Sequence, residues 1–470
     1  MSLKMKQTIY KIFALSGLIL LSTSCDLVEV DRVVDPNSPS TAGVLNNASA
    51  GELQDLVAGL ESVHRNYNNG AGDWWSMTGT LSRELFYINT SDPSFSRDWL
   101  QQADRSIDAE DNSIFFADAS GYESPYGAIR QANLLLESVE NSENVTDNQK
   151  NGYYGFANTI KAYQFQVPLM HQYQNGIRVD VTFSEPLNPG GFLSYSDALA
   201  AIRGILDDGA TELGNSGSEF NFELTEGFDG FDTPAAVLEV NRAIAARLAL
   251  YAEDWDGALS ALDDSFLNLA PGQGEAGLMA GPAHTFAGGN DQFNPYYFQT
   301  DADENLLIVP HPDLITDAEP GDERLSKFEQ RTEPAETSYI PGLSADYQIG
   351  AYASETSNMP FIRNEELILI YAEALAQRNQ GTDLVDAVDA INIIRNTWGL
   401  PDFVSVDQAD IIDQVLEERK YSLWGEGHRW VDMRRYDRLD DIDTTIGGGQ
   451  VPSQIGRPQG EIDWEEFSGN

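Results

Sequence analysis

Twice in this chain a helical stretch with small residues set between bulky ones turns back on itself within a few positions. Between Asn241 and Tyr251, Ala243, Ala245, Ala246 and Ala249 are interleaved with Ile244, Leu248 and Leu250, and Glu253-Asp254-Trp255 then leads into Ala258-Leu259-Ser260-Ala261-Leu262. Ile368 to Ala376 carries Ala372, Ala374 and Ala376, and Asn379-Gln380-Gly381 leads into Ala387 to Asn392. Small side chains let two helix backbones approach closely, the device of tetratricopeptide-type helix pairs. A pair of this kind cannot bury its apolar stripe alone, so it demands further helices beside it.

Those helices are legible in the sequence. Ser49-Ala50-Gly51-Glu52 forms a capping box ahead of Leu53, Leu56, Val57, Leu60 and Val63 at helical spacing. Thr146 to Gln149 opens a second helix through Tyr153, Phe156, Ile160 and Tyr163 towards Tyr173, and Ser194 or Ser196 precedes Leu199, Ile202, Leu206 and Leu213. A further stripe runs from Tyr122 to Val139 through Tyr126, Ile129, Asn133 and Leu136. Residues 268–360 break the pattern, being rich in Gly, Pro, Asn and Asp with aromatic clusters such as Phe293-Asn294-Pro295-Tyr296-Tyr297-Phe298. A segment so long and so aromatic reads as functional loop rather than disorder. The expected fold is mainly all-α, a scaffold of tetratricopeptide-like helix pairs overlaid by long irregular loops with a few short strands.

Ahead of the first helix lie Lys4, Lys6 and Lys11, the apolar run Ile12 to Leu21, and then Ser22-Thr23-Ser24-Cys25. The apolar part is too short to span a bilayer and has the layout of a signal peptide. Cys25 has no partner cysteine in the 470 residues and resembles the acylated cysteine of bacterial lipoproteins, although Ser22 stands where an apolar residue is usual. The reading divides the chain into a leader (1–24), an acidic Pro/Ser-bearing lipidated tether (25–43) and one domain (44–470).

The charge is extreme, 75 Asp+Glu against 28 Lys+Arg for a net −47, and past the leader the only lysines are Lys150, Lys161, Lys327 and Lys420. Such a chain repels itself at low salt, and the phosphates of nucleic acid would meet a field of their own sign. Acid-rich, lysine-poor composition resembles that of proteins adapted to concentrated salt, where screening lengths fall to roughly 3 Å at 1 M; a dedicated cation-binding surface is the alternative.

Catalytic motifs are sparse. No phosphate-cradling loop or Gly-x-Ser-x-Gly elbow occurs. His64, His171, His284 and His311 show no metal-ligand spacing. Asp301, Asp303 and Asn305 begin like a calcium loop, but Leu306 and Pro312 replace the glycine and glutamate that an EF-hand needs, which leaves room only for a looser calcium site and no other cofactor. With so many acids, a carboxylate pair for glycoside hydrolysis is the enzyme alternative.

Glu418 to Arg435 (Glu-Arg-Lys-Tyr-Ser-Leu-Trp-Gly-Glu-Gly-His-Arg-Trp-Val-Asp-Met-Arg-Arg) resembles the signature of the SusD/RagB family of outer-membrane nutrient-binding lipoproteins, with Ser422 where a glutamate is common. Pro360 to Ala374, Ala390 to Arg395 with Gly399-Leu400-Pro401, Tyr126 to Asn133 and the Ala157 to Tyr173 helix resemble the family too. The resemblance implies a non-catalytic, surface-facing lipoprotein that binds an oligosaccharide and delivers it to a SusC-like TonB-dependent transporter, or a relative that serves peptide uptake. A purely structural subunit of that transporter is a further alternative. Within the signature, the dense alternation of Glu418, Arg419, Glu426, Arg429, Asp432 and Arg434 reads as a buried ion-pair network rather than an acid/base site.

For a sugar ligand, flat aromatic faces with amides and carboxylates beside them are the relevant chemistry. Two segments offer that mixture: Tyr67, Asp73, Trp74 and Trp75 on a glycine-rich loop, and Asn290, Tyr296 and Tyr297. Trp74 and Trp75 lead, because a loop provides little core for two indoles; each of these aromatics could equally fill a core.

Overall fold

The computed structural model describes residues 41–68, 73–102, 119–186, 188–272, 274–289 and 291–468. The expected leader, Cys25, the tether as far as residue 40, and Asn290 lie outside the described residues. Every element below belongs to the compact unit Leu45–Asn470.

Eleven helices carry the argument: α1 (Ala50–His64), α2 (Trp74–Leu81), α3 (Ser124–Asn141), α4 (Asp147–Gln172), α5 (Tyr195–Asn215), α6 (Pro234–Tyr251), α7 (Trp255–Asp263), α8 (Asn364–Arg378), α9 (Asp383–Thr397), α10 (Gln408–Ser422) and α11 (Arg429–Arg435). Ser49 and Thr146 close full capping boxes on α1 and α4, and Ser194, Thr233 and Asp254 cap α5, α6 and α7 through their side chains. Each satisfies amide donors that the first helical turn leaves without a partner.

From α3 onward each helix packs on the next: α3 on α4, α4 on α5, α5 on α6, α6 on α7, α7 on α8, and α8 on both α9 and α10. This succession is the expected tetratricopeptide-like array. In the α6/α7 pair Ala243, Ala246, Ala249 and Ala258 are all buried. The α4/α5 pair uses a device the hydrophobic periodicity does not reveal. A Cβ on Gly155 would lie 2.4 Å from Leu213 Cγ and 3.0 Å from the Gly209 carbonyl, so glycine is what lets these two helices touch.

Region 268–360 is more ordered than its composition suggests. Strand β1 (Leu85–Asn89) pairs antiparallel with β2 (Leu306–Pro310), and β3 (Phe328–Ala335) pairs antiparallel with β4 (Ala345–Ile349) around a bulge between Gln330 and Ala335. Phe86, Ile88, Leu307, Val309, Ile340 and Leu343 form a small core of their own there. The loop layer is thus a second packed body with its own apolar anchor. Among the described residues no helix is long and apolar enough to cross a membrane.

Candidate functional site

Trp74 and Trp75 are not on a loop. Asp73 caps α2 by accepting from Ser76 N at 2.7 Å, and all eight residues of that helix are buried. The tryptophans sit 5% and 4% exposed, so the indoles fill a core after all. What they support is the signature turn between α10 and α11. Gly425 and Gly427 both adopt left-handed φ (73° and 81°), and a Cβ on Gly427 would meet Trp75 Cδ1 at 3.1 Å and Trp74 Nε1 at 3.2 Å. Only glycine combines that backbone conformation with so close an approach.

The two predicted segments do meet. Tyr296 donates its hydroxyl to Asp73 Oδ1 at 2.8 Å and packs edge-on against Trp75, ring centroids 5.8 Å apart. Burial pushes the Asp73 carboxyl up to about 6 against the hydrogen bonds it accepts from Ser76 and Tyr296. Tyr67 is buried deeper, its hydroxyl 2.7 Å from Tyr163 Oη and 2.9 Å from His284 Nε2. Tyr297 is half-buried on the same loop.

Behind the signature turn the ion-pair network takes shape, and most of its partners come from outside the motif. Glu418 accepts from Arg324 (2.5 Å) and Arg395 (2.8 Å), Arg419 pairs with Asp432 (2.7 Å), and Arg435 bridges Asp432 and Glu373. Arg247 of α6 reaches Glu366 of α8, and Arg363 lies 3.0 Å from Glu365 and 2.9 Å from Glu426. Burial would raise the Glu366 carboxyl, but the Arg247 guanidinium beside it holds it down to about 2. Burial, helped by the Arg247 and Arg419 guanidinium groups, drives the His428 imidazole down to about 3 against the pull of Glu366 and Asp432.

Two of the six expected network residues differ. Arg434 donates to the Met170 and Ser453 carbonyls and stacks over Tyr173 rather than meeting a carboxylate. Arg429 is half-buried and lines a separate polar cavity beside Glu84, with no carboxylate within ion-pair distance among the described residues. Ser422 is occupied at the α10 terminus: its hydroxyl lies 3.2 Å from Arg324 Nη1, and its carbonyl accepts from Lys327 and Arg363. Cations are favoured at such a terminus, where carbonyls are left over.

The signature turn, the α10 terminus and the loop layer together enclose a cavity of about 200 Å³. Tyr296, Tyr352, Trp398 and Trp424 supply aromatic walls, Met279 and Ile349 apolar ones, and Lys327, Arg363, Glu426, Glu275 and Ser326 the polar groups. The indole nitrogens are already committed, Trp398 to Glu365 (2.7 Å) and Trp424 to the Glu84 carbonyl (2.9 Å), which fixes both rings. Lys327 Nζ donates to the Tyr421 carbonyl at 2.9 Å and the Ser422 carbonyl at 2.5 Å, and burial lowers its amine to about 8. Fixed aromatic faces around a few converging polar groups are the chemistry of a small-molecule recess. Of the residues expected to bind, only Tyr296 lines it; Tyr352, Trp398, Trp424 and Lys327 went unnoticed, since their sequence separation hides that they converge.

Among the described residues no group of three His, Cys, Asp or Glu side chains could hold a metal ion. In the segment considered for calcium, Asp301 accepts from Thr332 N and Oγ1, both at 2.7 Å, and Asp303 accepts from Asn305 N at 2.9 Å.

A helix-pair scaffold thus carries a packed loop layer, with an aromatic recess at their junction. Residues 331–461 match the SusD family model. "SusD-like protein P38" of Formosa agariphila is 31% identical over 100 residues, which is 20% of this chain and 20% of that protein, so the match spans about a fifth of the curated relative. Two solved structures share the fold over most of the chain. A SusD superfamily protein from Bacteroides vulgatus superposes with TM-score 0.63 at 16% identity, over 89% of this chain and 98% of that one. A SusD-like carbohydrate-binding protein from Bacteroides fragilis gives 0.64 at 19%, over 87% and 90%. Residues 331–461 are thus similar to the SusD family, and the chain as a whole shares the fold of these solved structures.

Proposed function

We propose that this protein is a cell-surface lipoprotein that captures an oligosaccharide in the recess at the signature turn and passes it to a SusC-like TonB-dependent outer-membrane transporter. The observation that carries the reading is the recess itself. Tyr352 and Ser326 hydroxyls, without hydrogen-bond partners among the described residues, open onto it beside the Glu426 carboxylate, between fixed aromatic faces. Sugar rings present C–H faces that pack on such rings and hydroxyls that need such acceptors and donors. The Bacteroides fragilis relative is a carbohydrate-binding protein by name, and a surface glycan-binding protein from Bacteroides uniformis shares the fold with TM-score 0.64 at 15% identity. Acylation at Cys25 would supply the anchor, since several acyl chains on one residue hold a protein at a membrane where one does so marginally.

The test is a glycan panel measured by calorimetry with the parent and with Tyr352→Ala. Binding without release of reducing ends, weakened at least tenfold by the substitution, supports the reading. Cleavage of any bound glycan overturns it in favour of a glycoside hydrolase, and affinity for peptides with none for glycans overturns it in favour of peptide uptake. Cys25→Ser is expected to release the protein from the outer membrane; retention in the membrane fraction would remove the lipid anchor from the proposal.

A further inference from the structure

The recess has a charge pattern that bears on which glycans it accepts. Its four charged lining residues comprise two cations, Lys327 and Arg363, and two anions, Glu426 and Glu275. The cations are already committed. Arg363 Nη2 donates to the Ser422 carbonyl and lies 3.0 Å from Glu365 and 2.9 Å from Glu426, while its Nε faces Met279 Sδ at 3.3 Å. Its remaining Nη1 has no hydrogen-bond partner but is buried and closed off from solvent, out of a ligand's reach. Lys327 spends two of its three N–H donors on the carbonyls that end α10.

The uncommitted groups are of another kind. They are the Tyr352 and Ser326 hydroxyls, the Glu426 oxygen turned away from Arg363, and the exposed Glu275 carboxylate. Neutral hydroxyls and carboxylate oxygens match the hydroxyl groups of a sugar, which can donate to the carboxylates and exchange hydrogen bonds with Tyr352 and Ser326. A carboxylate or sulfate on the ligand would meet those same carboxylates, with a single remaining Lys327 N–H as the cationic donor on the lining to receive it. Burying an unpaired charge is among the costliest events in recognition.

We infer that the recess selects uncharged glycans and excludes uronate- and sulfate-bearing ones, Glu426 and Glu275 being the residues that set this preference. The inference rests on the glycan reading above and narrows it. Burial shifts the Lys327 amine down and the Glu426 carboxyl up, the direction in which a poorly hydrated pocket disfavours any added net charge.

The decisive measurement is calorimetry of the full-length protein in 1 M NaCl. Screening there over roughly 3 Å removes the repulsion of the distant surface acids and leaves only the contacts in the recess. The probes are maltohexaose, laminarihexaose, xylohexaose and mannohexaose against hexagalacturonate and a sulfated carrageenan hexasaccharide. At least one neutral probe is expected to bind, with both anionic probes at least tenfold weaker, and Glu275→Gln and Glu426→Gln are expected to narrow that gap. Glu275 is exposed at the rim, so its variant keeps the test sound if Glu426→Gln, which loses the Arg363 pair, fails to fold. An anionic probe that binds as tightly as the best neutral one, or a gap unchanged in the folded variants, overturns the inference and leaves the glycan reading intact. Failure of every glycan to bind overturns the glycan reading, and this inference falls with it.

Discussion

The two halves of the helix array are built alike and held together differently. In the first, α3 to α7, the helices meet through alanine and glycine, and the charged pairs Arg203–Asp254 and Arg242–Asp207 sit at partly exposed edges. In the second, α8 to α11, the meeting surfaces carry buried carboxylates and guanidinium groups, Glu366, Glu373 and Glu418 all at 0–1% exposure. The first half depends on volume, the second on charge balance. Buried pairs contribute little net stability over an apolar replacement, but each member makes its partner intolerant of loss.

The contrast makes predictions that differ in size and in sign. Glu418→Ala removes the acceptor shared by Arg324 and Arg395 and leaves both guanidinium groups buried and short of a partner. It is expected to cost about 3–5 kcal/mol in urea denaturation, and a loss below about 1 kcal/mol would break the charge-balance account.

Glu84 tests the same half through pH. Its side chain accepts from Gly425 N at 3.3 Å, and burial pushes its carboxyl up to about 8. The folded protein therefore holds a proton that the unfolded chain releases above its ordinary value of about 4.5. The stabilisation from this group is complete below that value and declines by about 1.4 kcal/mol per pH unit until pH passes about 8. Glu84→Gln, which cannot ionise, should match the parent near pH 4 and melt at a higher temperature than the parent at pH 9. Parallel melting curves across that range would place the charge cost elsewhere.

In the first half the effects are steric. Gly155→Ala gains helix propensity yet drives a methyl group into Leu213 and the Gly209 carbonyl, for an expected loss of about 1–3 kcal/mol. Gly204→Ala, on the exposed face of α5 with nothing within 4 Å of the new methyl group, should instead gain about 0.5–1 kcal/mol. Equal effects of the two substitutions would mean that helix contact does not control the α4/α5 pair.

The expected helices, with their caps at Ser49, Thr146 and Ser194, needed only neighbours within four residues, so they were legible. The error over Trp74 and Trp75 has the same origin. The glycines before them suggested a loop; the Asp73 cap on Ser76 is local, but the burial of every face of α2 depends on partners such as Tyr296 and the signature turn, more than two hundred residues away. The recess was illegible for that reason: Lys327, Tyr352, Arg363, Trp398 and Trp424 are spread over nearly a hundred positions, and no local pattern joins them.

The sequence by itself determined the helix pairs, the charge and the family signature, because helix periodicity, capping and composition are local or additive properties. Only the tertiary structure decided that the tryptophans lie on a buried helix under the signature turn, that Glu373 of α8 pairs with Arg435 of the signature, and where the recess lies. Those outcomes turn on which distant side chains are brought within 3 Å, and on the desolvation that makes an unpaired charge intolerable there.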